Sequence, residues 1–140
     1  MNIFTTMEIS ASGLTAQRQR LNVIAENLAN AHTTRTPRGG PYLRKHVVLE
    51  TRPAVEFASF LETADKVAVA DIVESREGLR PEYDPNHPDA DEQGMVLWPN
   101  VNPVVEMVSL TLASRGFEAN VAVFQAARAM ALKALEIGRG

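Results

Sequence analysis

The 140 residues include no cysteine. Disulfides and thiolate chemistry are therefore excluded, whereas no compartment is, because a cysteine-free chain suits reducing and oxidising surroundings alike. No run of about 18 apolar residues occurs, so no membrane-spanning helix is expected. Glu8, Ser10, Ser12 and Gln17 interrupt any apolar stretch near the N-terminus, and no cleaved signal peptide is expected. The chain lacks an internal repeat, and it lacks a dense basic patch, which argues against a nucleic-acid partner. Gly39-Gly40 has neither the following lysine nor the strand-loop-helix setting of a phosphate loop. His32, His46 and His87 fall in three separate segments without a helical ligand spacing. Serines and histidines occur in no context that would activate a nucleophile. Enzymatic activity, catalytic residues, cofactors and metal ligands are accordingly not expected.

What the chain does have is two long heptad stripes, one at each end. Ile3, Met7, Ser10, Leu14, Gln17, Leu21, Ile24, Leu28 and Ala31 step by alternating fours and threes. So do Met107, Leu110, Ser114, Phe117, Val121, Phe124, Arg128, Ala131 and Leu135. That rhythm places one seam on one side of an α-helix, ready to meet another helix. The second helix is apolar beyond its seam. Val105, Val108, Leu112, Val123, Met130 and Leu132 lie off it, and alanines keep further sides small. One partner helix leaves such a surface uncovered, which implies several neighbours.

The first helix is predicted over residues 5–31, with Thr5 or Thr6 as N-cap and Glu8 in the first turn. Gly13 inside it costs about 1 kcal/mol against Ala; it reflects either close approach of a neighbouring backbone or simple tolerance. Gly116 in the second helix suits the same close approach. Pro37 and the preceding threonines end helix one, and Gly39-Gly40-Pro41 makes a break. Strands are predicted at 42–51 and 67–73. In the second, Val67, Val69, Asp71 and Val73 should face one way and Ala68, Ala70, Ile72 and Glu74 the other. Residues 53–65 read as a short helix or a mobile insert. The prolines of residues 79–99 rule out helix there, and Met95-Val96-Leu97-Trp98 is a candidate strand closing the small sheet. Helix two should begin at Asn102 or Pro103, as N-cap and N1, run to Ile137 and end at Gly138.

This makes the chain α+β, mainly α. Long terminal helices pack as a coiled-coil-like pair, and the middle segment is small and rich in strand and loop. Three parts follow: 1–36, 37–100 and 101–140. Charge follows the same division. Residues 1–52 carry seven Lys/Arg against three Asp/Glu, residues 53–100 three against eleven, and residues 101–140 four against three. An acidic middle between mildly basic ends fits a head carried by two packing arms.

Asp89-Ala90-Asp91-Glu92-Gln93-Gly94 imitates the opening of a calcium loop. Its twelfth position is Asn100 instead of Glu, and Pro85 and Pro88 forbid the preceding helix. An ordered polar turn is the better description. Asn27, Asn30 and Asn120 are poor interior helix residues. Each is open to two readings, capping and exposure or a buried polar contact that fixes helix register.

The string Leu21-Asn22-Val23-Ile24-Ala25-Glu26-Asn27-Leu28-Ala29-Asn30-Ala31 resembles the N-terminal signature of bacterial flagellar axial proteins, those of rod and hook. Arg115-Gly116-Phe117-Glu118-Ala119-Asn120 and Ala131–Gly138 resemble their C-terminal signature. Residues 83–94 followed by Pro99-Asn100-Val101 resemble the proximal-rod proteins known as rod protein C. Gly116, where the family often has a bulkier or polar residue, and the loop Thr33-Thr34-Arg35 depart from that pattern.

The resemblance implies a structural subunit of the basal-body rod, assembling helically around the export channel and crossing the periplasmic space. It implies export by the flagellar type III apparatus without a cleaved signal, and contacts with further copies and with proximal and distal rod proteins. It implies no nucleic acid and no membrane insertion. Subunit-interface positions are expected at Met7, Leu14, Leu21, Ile24, Asn27, Leu28, Asn30, Met107, Leu110, Phe117, Asn120, Val121, Phe124, Leu132 and Leu135. An outer-contact loop is expected at Tyr83, Asp84, His87, Asp89 and Asp91. The alternative is a soluble helical adaptor that binds one partner through the same faces. A poorly ordered monomer would favour the rod, and a stable folded one the adaptor.

Overall fold

Two helices lying antiparallel organise everything else. A computed structural model describes residues 3–53 and 65–138. Its elements are α1 (Ile3–Ala29), β1 (Arg44–Pro53), β2 (Asp65–Ser75), β3 (Arg80–Tyr83), β4 (Met95–Trp98) and α2 (Pro103–Ile137).

Local chemistry sets the start of α2. The Asn102 side chain accepts from the backbone N–H of Val104 and of Val105, Pro103 holds the first helical position, and Glu106 occupies the first turn. The helix stops at Ile137, where the Gly138 N–H donates to the Ala134 carbonyl at 3.1 Å. In α1 local signals mislead. The helix begins at Ile3, so Thr5 and Thr6 lie within it instead of capping it, and Glu8 falls past the first turn. Packing against α2 overrides the weak propensity of threonine. Its end comes at Ala29, two residues before the expected Ala31, which the next turn buries.

The helices meet through small and polar residues. A Cβ on Gly13 would lie 2.9 Å from the Asn120 amide, and one on Gly116 would lie 3.1 Å from the Gln17 amide. The contacts are reciprocal, with a glycine of each helix receiving an amide side chain of the other. Fourteen residues further along α1, Asn27 meets Glu106, which stands fourteen residues before Asn120. The seam of α2 that faces α1 therefore runs through Glu106, Leu110, Ala113, Phe117, Asn120, Phe124 and Ala127. It is rotated by one residue from half of the expected stripe, where Met107 and Leu135 are exposed. Close approach selects small residues at alternate steps, so the bulkiest apolar stripe is off centre.

β1 and β2 form an antiparallel hairpin lying along α1, where the Val67 N–H donates to Ser12 Oγ at 3.2 Å. Val48 pairs with Asp71 and Leu49 with Val69, leaving Ala70 as a bulge. The expected strict alternation of β2 is therefore interrupted. Most of residues 53–65 lies outside the described residues. Met95–Trp98 does not close this sheet. It pairs with Arg80–Tyr83 in a second two-stranded sheet, a strand missed in the sequence because of Pro81. Proline is tolerated in such an edge strand, where its missing N–H interrupts no ladder. Gly94, at φ +76°, makes the turn, and a Cβ there would lie 2.9 Å from the Tyr83 ring.

The core is thin, as a small domain's must be. Ala16, Val23, Ile24, Ala113 and Ala127 are its buried helical members, Ala31, Tyr42 and Val101 cluster at the helix ends, and Val96 is the buried residue of β4. The Gly13–Asn120 contact makes a testable prediction. Gly13→Ala should lower stability in the natural chain, because the new methyl meets the Asn120 amide. In an Asn120→Ala background the same change should add about 1 kcal/mol through helix propensity. Urea denaturation of the four chains measures that reversal of sign.

Candidate assembly interface

A polar hub lies where the end of α1, the start of β1 and the first turn of α2 converge. Asn27 is 1% exposed and Glu106 fully buried. Asn27 Nδ2 donates to the Lys45 carbonyl at 2.8 Å and to Glu106 Oε2 at 3.1 Å. Asn27 Oδ1 accepts from the Tyr42 hydroxyl at 3.0 Å and from the Lys45 N–H at 2.9 Å. Arg44 Nε donates to Glu106 Oε1 at 2.7 Å. Burial pushes the Tyr42 phenol up to about 12, with the Glu26, Glu74 and Glu106 carboxylates adding to the shift. Beside the hub, Asn100 Oδ1 accepts from the Arg44 N–H at 2.8 Å, and its Nδ2 donates to the Ser75 and Glu77 carbonyls. One side chain thus ties β1 and the end of β2 to the lead-in of α2.

The asparagines divide. Asn27 is the buried register contact. Asn30 is local, donating to the Glu26 carbonyl at 2.9 Å and accepting from Thr33 Oγ1. Asn120 donates to the Gly116 carbonyl of its own helix at 3.0 Å while its amide covers Gly13. Sequence reasoning missed Tyr42, Arg44 and Glu106. The one available signal was an acidic residue within Val104-Val105-Glu106-Met107-Val108.

The other expected interface positions fall into three groups. Ile24, like Asn27, is buried inside the chain. Met7, Leu14, Leu21, Leu28, Leu110, Phe117, Val121 and Phe124 are half-buried between or beside the helices. Met107, Leu132 and Leu135 face solvent, together with Val105, Val108, Leu112, Val123 and Met130. No helix among the described residues is long and apolar enough to cross a membrane.

The loop of residues 84–94 is an ordered turn system. Asp91 Oδ1 accepts from the N–H of Gln93 and of Met95, and Asp84 Oδ1 from that of Asn86. Asp89 reaches back to Thr34 Oγ1 at 2.8 Å and to Arg35. The His87 ring meets the Trp98 ring edgewise with centroids 5.8 Å apart, and His32 flanks the same Trp98 at 6.0 Å. Tyr83 remains 68% exposed. Among the described residues no group of three His, Asp or Glu side chains is arranged to hold a metal ion.

Two predictions follow from the hub. Arg44→Met would leave the Glu106 carboxylate buried without its cation and should cost about 3–5 kcal/mol in urea denaturation. Tyr42 sets an alkaline limit. Its folded value lies above the ordinary phenol value of 10. The stability it contributes is therefore complete below pH 10 and lost as pH rises towards 12. Tyr42→Phe should remove that part of the alkaline loss, measured as unfolding midpoint against pH.

Residues 7–35 match the family described as flagella basal body rod protein, and residues 92–137 match the family described as flagellar basal body rod FlgEFG protein C-terminal. The flagellar basal-body rod protein FlgC of Escherichia coli O157:H7 is 44% identical over 139 residues, covering 99% of this chain and 98% of that one. The protein of the same name from Bacillus subtilis strain 168 is 40% identical over 151 residues, covering 99% and 100%. That of Borreliella burgdorferi is 39% identical over 152 residues, covering both chains fully. With identities of this size running from end to end, through both helices and the strands between them, the chain belongs to the flagellar basal-body rod protein FlgC family.

Proposed function

We propose that the chain is a non-enzymatic structural subunit of the flagellar basal-body rod. Its helical hairpin assembles helically with further copies and with other proximal and distal rod proteins around the export channel. The observation that carries this reading is the apolar surface left by the hairpin. Along α2, Val105, Met107, Val108, Leu112, Val123, Met130, Leu132 and Leu135 are each between 47% and 66% exposed. A row this long, on faces that α1 does not reach, fits several neighbouring helices better than one. The names of the relatives point the same way.

In this reading Met107, Leu132 and Leu135 make subunit contacts directly, with Met7, Leu14, Leu21, Leu28, Leu110, Phe117, Val121 and Phe124 adding their uncovered edges. Ile24, Asn27, Asn30 and Asn120 serve the interface by shaping the hairpin. Tyr83, Asp84, His87, Asp89 and Asp91 face outward contacts. The subunit leaves the cytoplasm through the flagellar type III apparatus without a cleaved signal and takes its place where the rod crosses the periplasmic space. Helices held by so thin a core are marginal alone and gain order from neighbours, which suits passage through a narrow channel.

The test replaces exposed side chains that the fold does not use. Val108→Asp with Leu112→Asp should leave the monomer's circular dichroism unchanged and abolish rod assembly and motility. Intact basal bodies in a motile strain carrying both changes would sink the reading.

A further inference from the structure

We propose that the β3–β4 hairpin of one copy docks into the cationic groove between α1 and β1 of a second copy. The inference rests on the reading of the chain as a self-assembling subunit and names a contact within it.

The groove has a volume of about 310 Å³, and Arg20, Arg44, Lys45, His46, Val47 and Leu49 form its rim and walls. Its charge is unbalanced toward the solvent. Glu106, the acid lining it, is fully buried and already bonded to Arg44 and Asn27. Lys45 is paired with Glu26. Arg20, exposed on α1, has no acidic partner among the described residues, and His46 is exposed beside it. The groove thus offers a free guanidinium and an imidazole above apolar walls, with Leu49 40% exposed.

The hairpin offers the complement. In its register Pro81 opposes Leu97 and Tyr83 opposes Met95, so these four share one face. Tyr83 is 68% and Leu97 48% exposed on that face. Glu92, in the connection between the two strands, stands exposed without a cationic partner among the described residues. Residues 77–98 carry six acids against one cation, Arg80. An aromatic anchor with an acidic rim suits a pocket with a cationic rim. The charge pairs fix orientation and partner, and the anchor supplies burial. The two surfaces are different patches of one molecule. Their union is heterologous, a type of contact that continues into an open helical array.

Because the chain has no cysteine, single introduced thiols report the contact cleanly. One population carries Leu49→Cys and the other Leu97→Cys, both at exposed positions that leave Tyr83 and the acids in place. The two are mixed, allowed to associate and oxidised. The mixed 49–97 disulfide should exceed either homodisulfide. Adding Arg20→Glu to the groove population should reduce it on the order of tenfold. Glu92→Arg in the hairpin population should restore it against Arg20→Glu. Association without a mixed disulfide, or a disulfide indifferent to the charge reversals, overturns the docking and leaves the groove to another rod protein or to the chain itself. Sedimentation showing no self-association of the natural chain would overturn the docking and leave the subunit reading standing, whereas intact basal bodies with the Val108→Asp, Leu112→Asp chain would overturn the subunit reading, so the two failures are distinguishable.

Discussion

The buried carboxylate of Glu106 is the constraint on which the rest depends. Taking an ionised carboxylate out of water costs several kcal/mol unless cation and hydrogen bonds replace its hydration. Arg44 supplies the cation and Asn27 the second bond. These groups belong to β1 and α1, far from Glu106 in sequence, so satisfying one side chain forces three segments to a single point. That point fixes one position along the helix pair. The reciprocal glycine contacts at Gly13 and Gly116 fix another, about 20 Å away at 1.5 Å per residue. Apolar packing alone would tolerate a slip by one heptad. With polar matches at both places, a slip would leave Glu106 without partners and drive side chains into the glycines.

The parts of this fold that were legible are those written in local chemistry. Asn102, Pro103 and Gly138 bound α2, and the valine-rich run of β2 announced a strand. The start of α1 was not legible, because Thr5 and Thr6 look like caps until α2 is laid against them. β3 was hidden by Pro81 and by acids that look like loop. The hub was half legible. Asn27 stood out as an unusual helix residue within a family signature, yet its partners Tyr42, Arg44 and Glu106 were not foreseen. A hydrogen-bond partner 79 residues away leaves no periodic trace. The displaced seam of α2 has the same origin. Hydrophobicity marks the largest apolar side chains, whereas close helix approach selects Ala113, Asn120 and Ala127.

The result is a helix whose apolar residues are only partly used by its own chain. Alanines and valines fill much of the core, Leu110, Phe117 and Phe124 stay half-buried, and many other apolar residues of α2 point outward. Ten of them, from Val104 to Ile137, are 47–81% exposed. Covering the exposed part of each would contribute roughly 1–2 kcal/mol. Association itself costs about 4–15 kcal/mol in lost freedom. Covering most of the ten therefore offsets that cost, whereas covering two or three does not. Cooperative assembly is the consequence. A first neighbour that reaches only one face of α2 gains little, and each later neighbour completes a surface already half formed. Specificity then cannot come from this apolar row, which any helix of suitable shape would satisfy. It has to come from polar groups outside the row, and the exposed charges of the acidic head and the basic groove are the ones available to supply it.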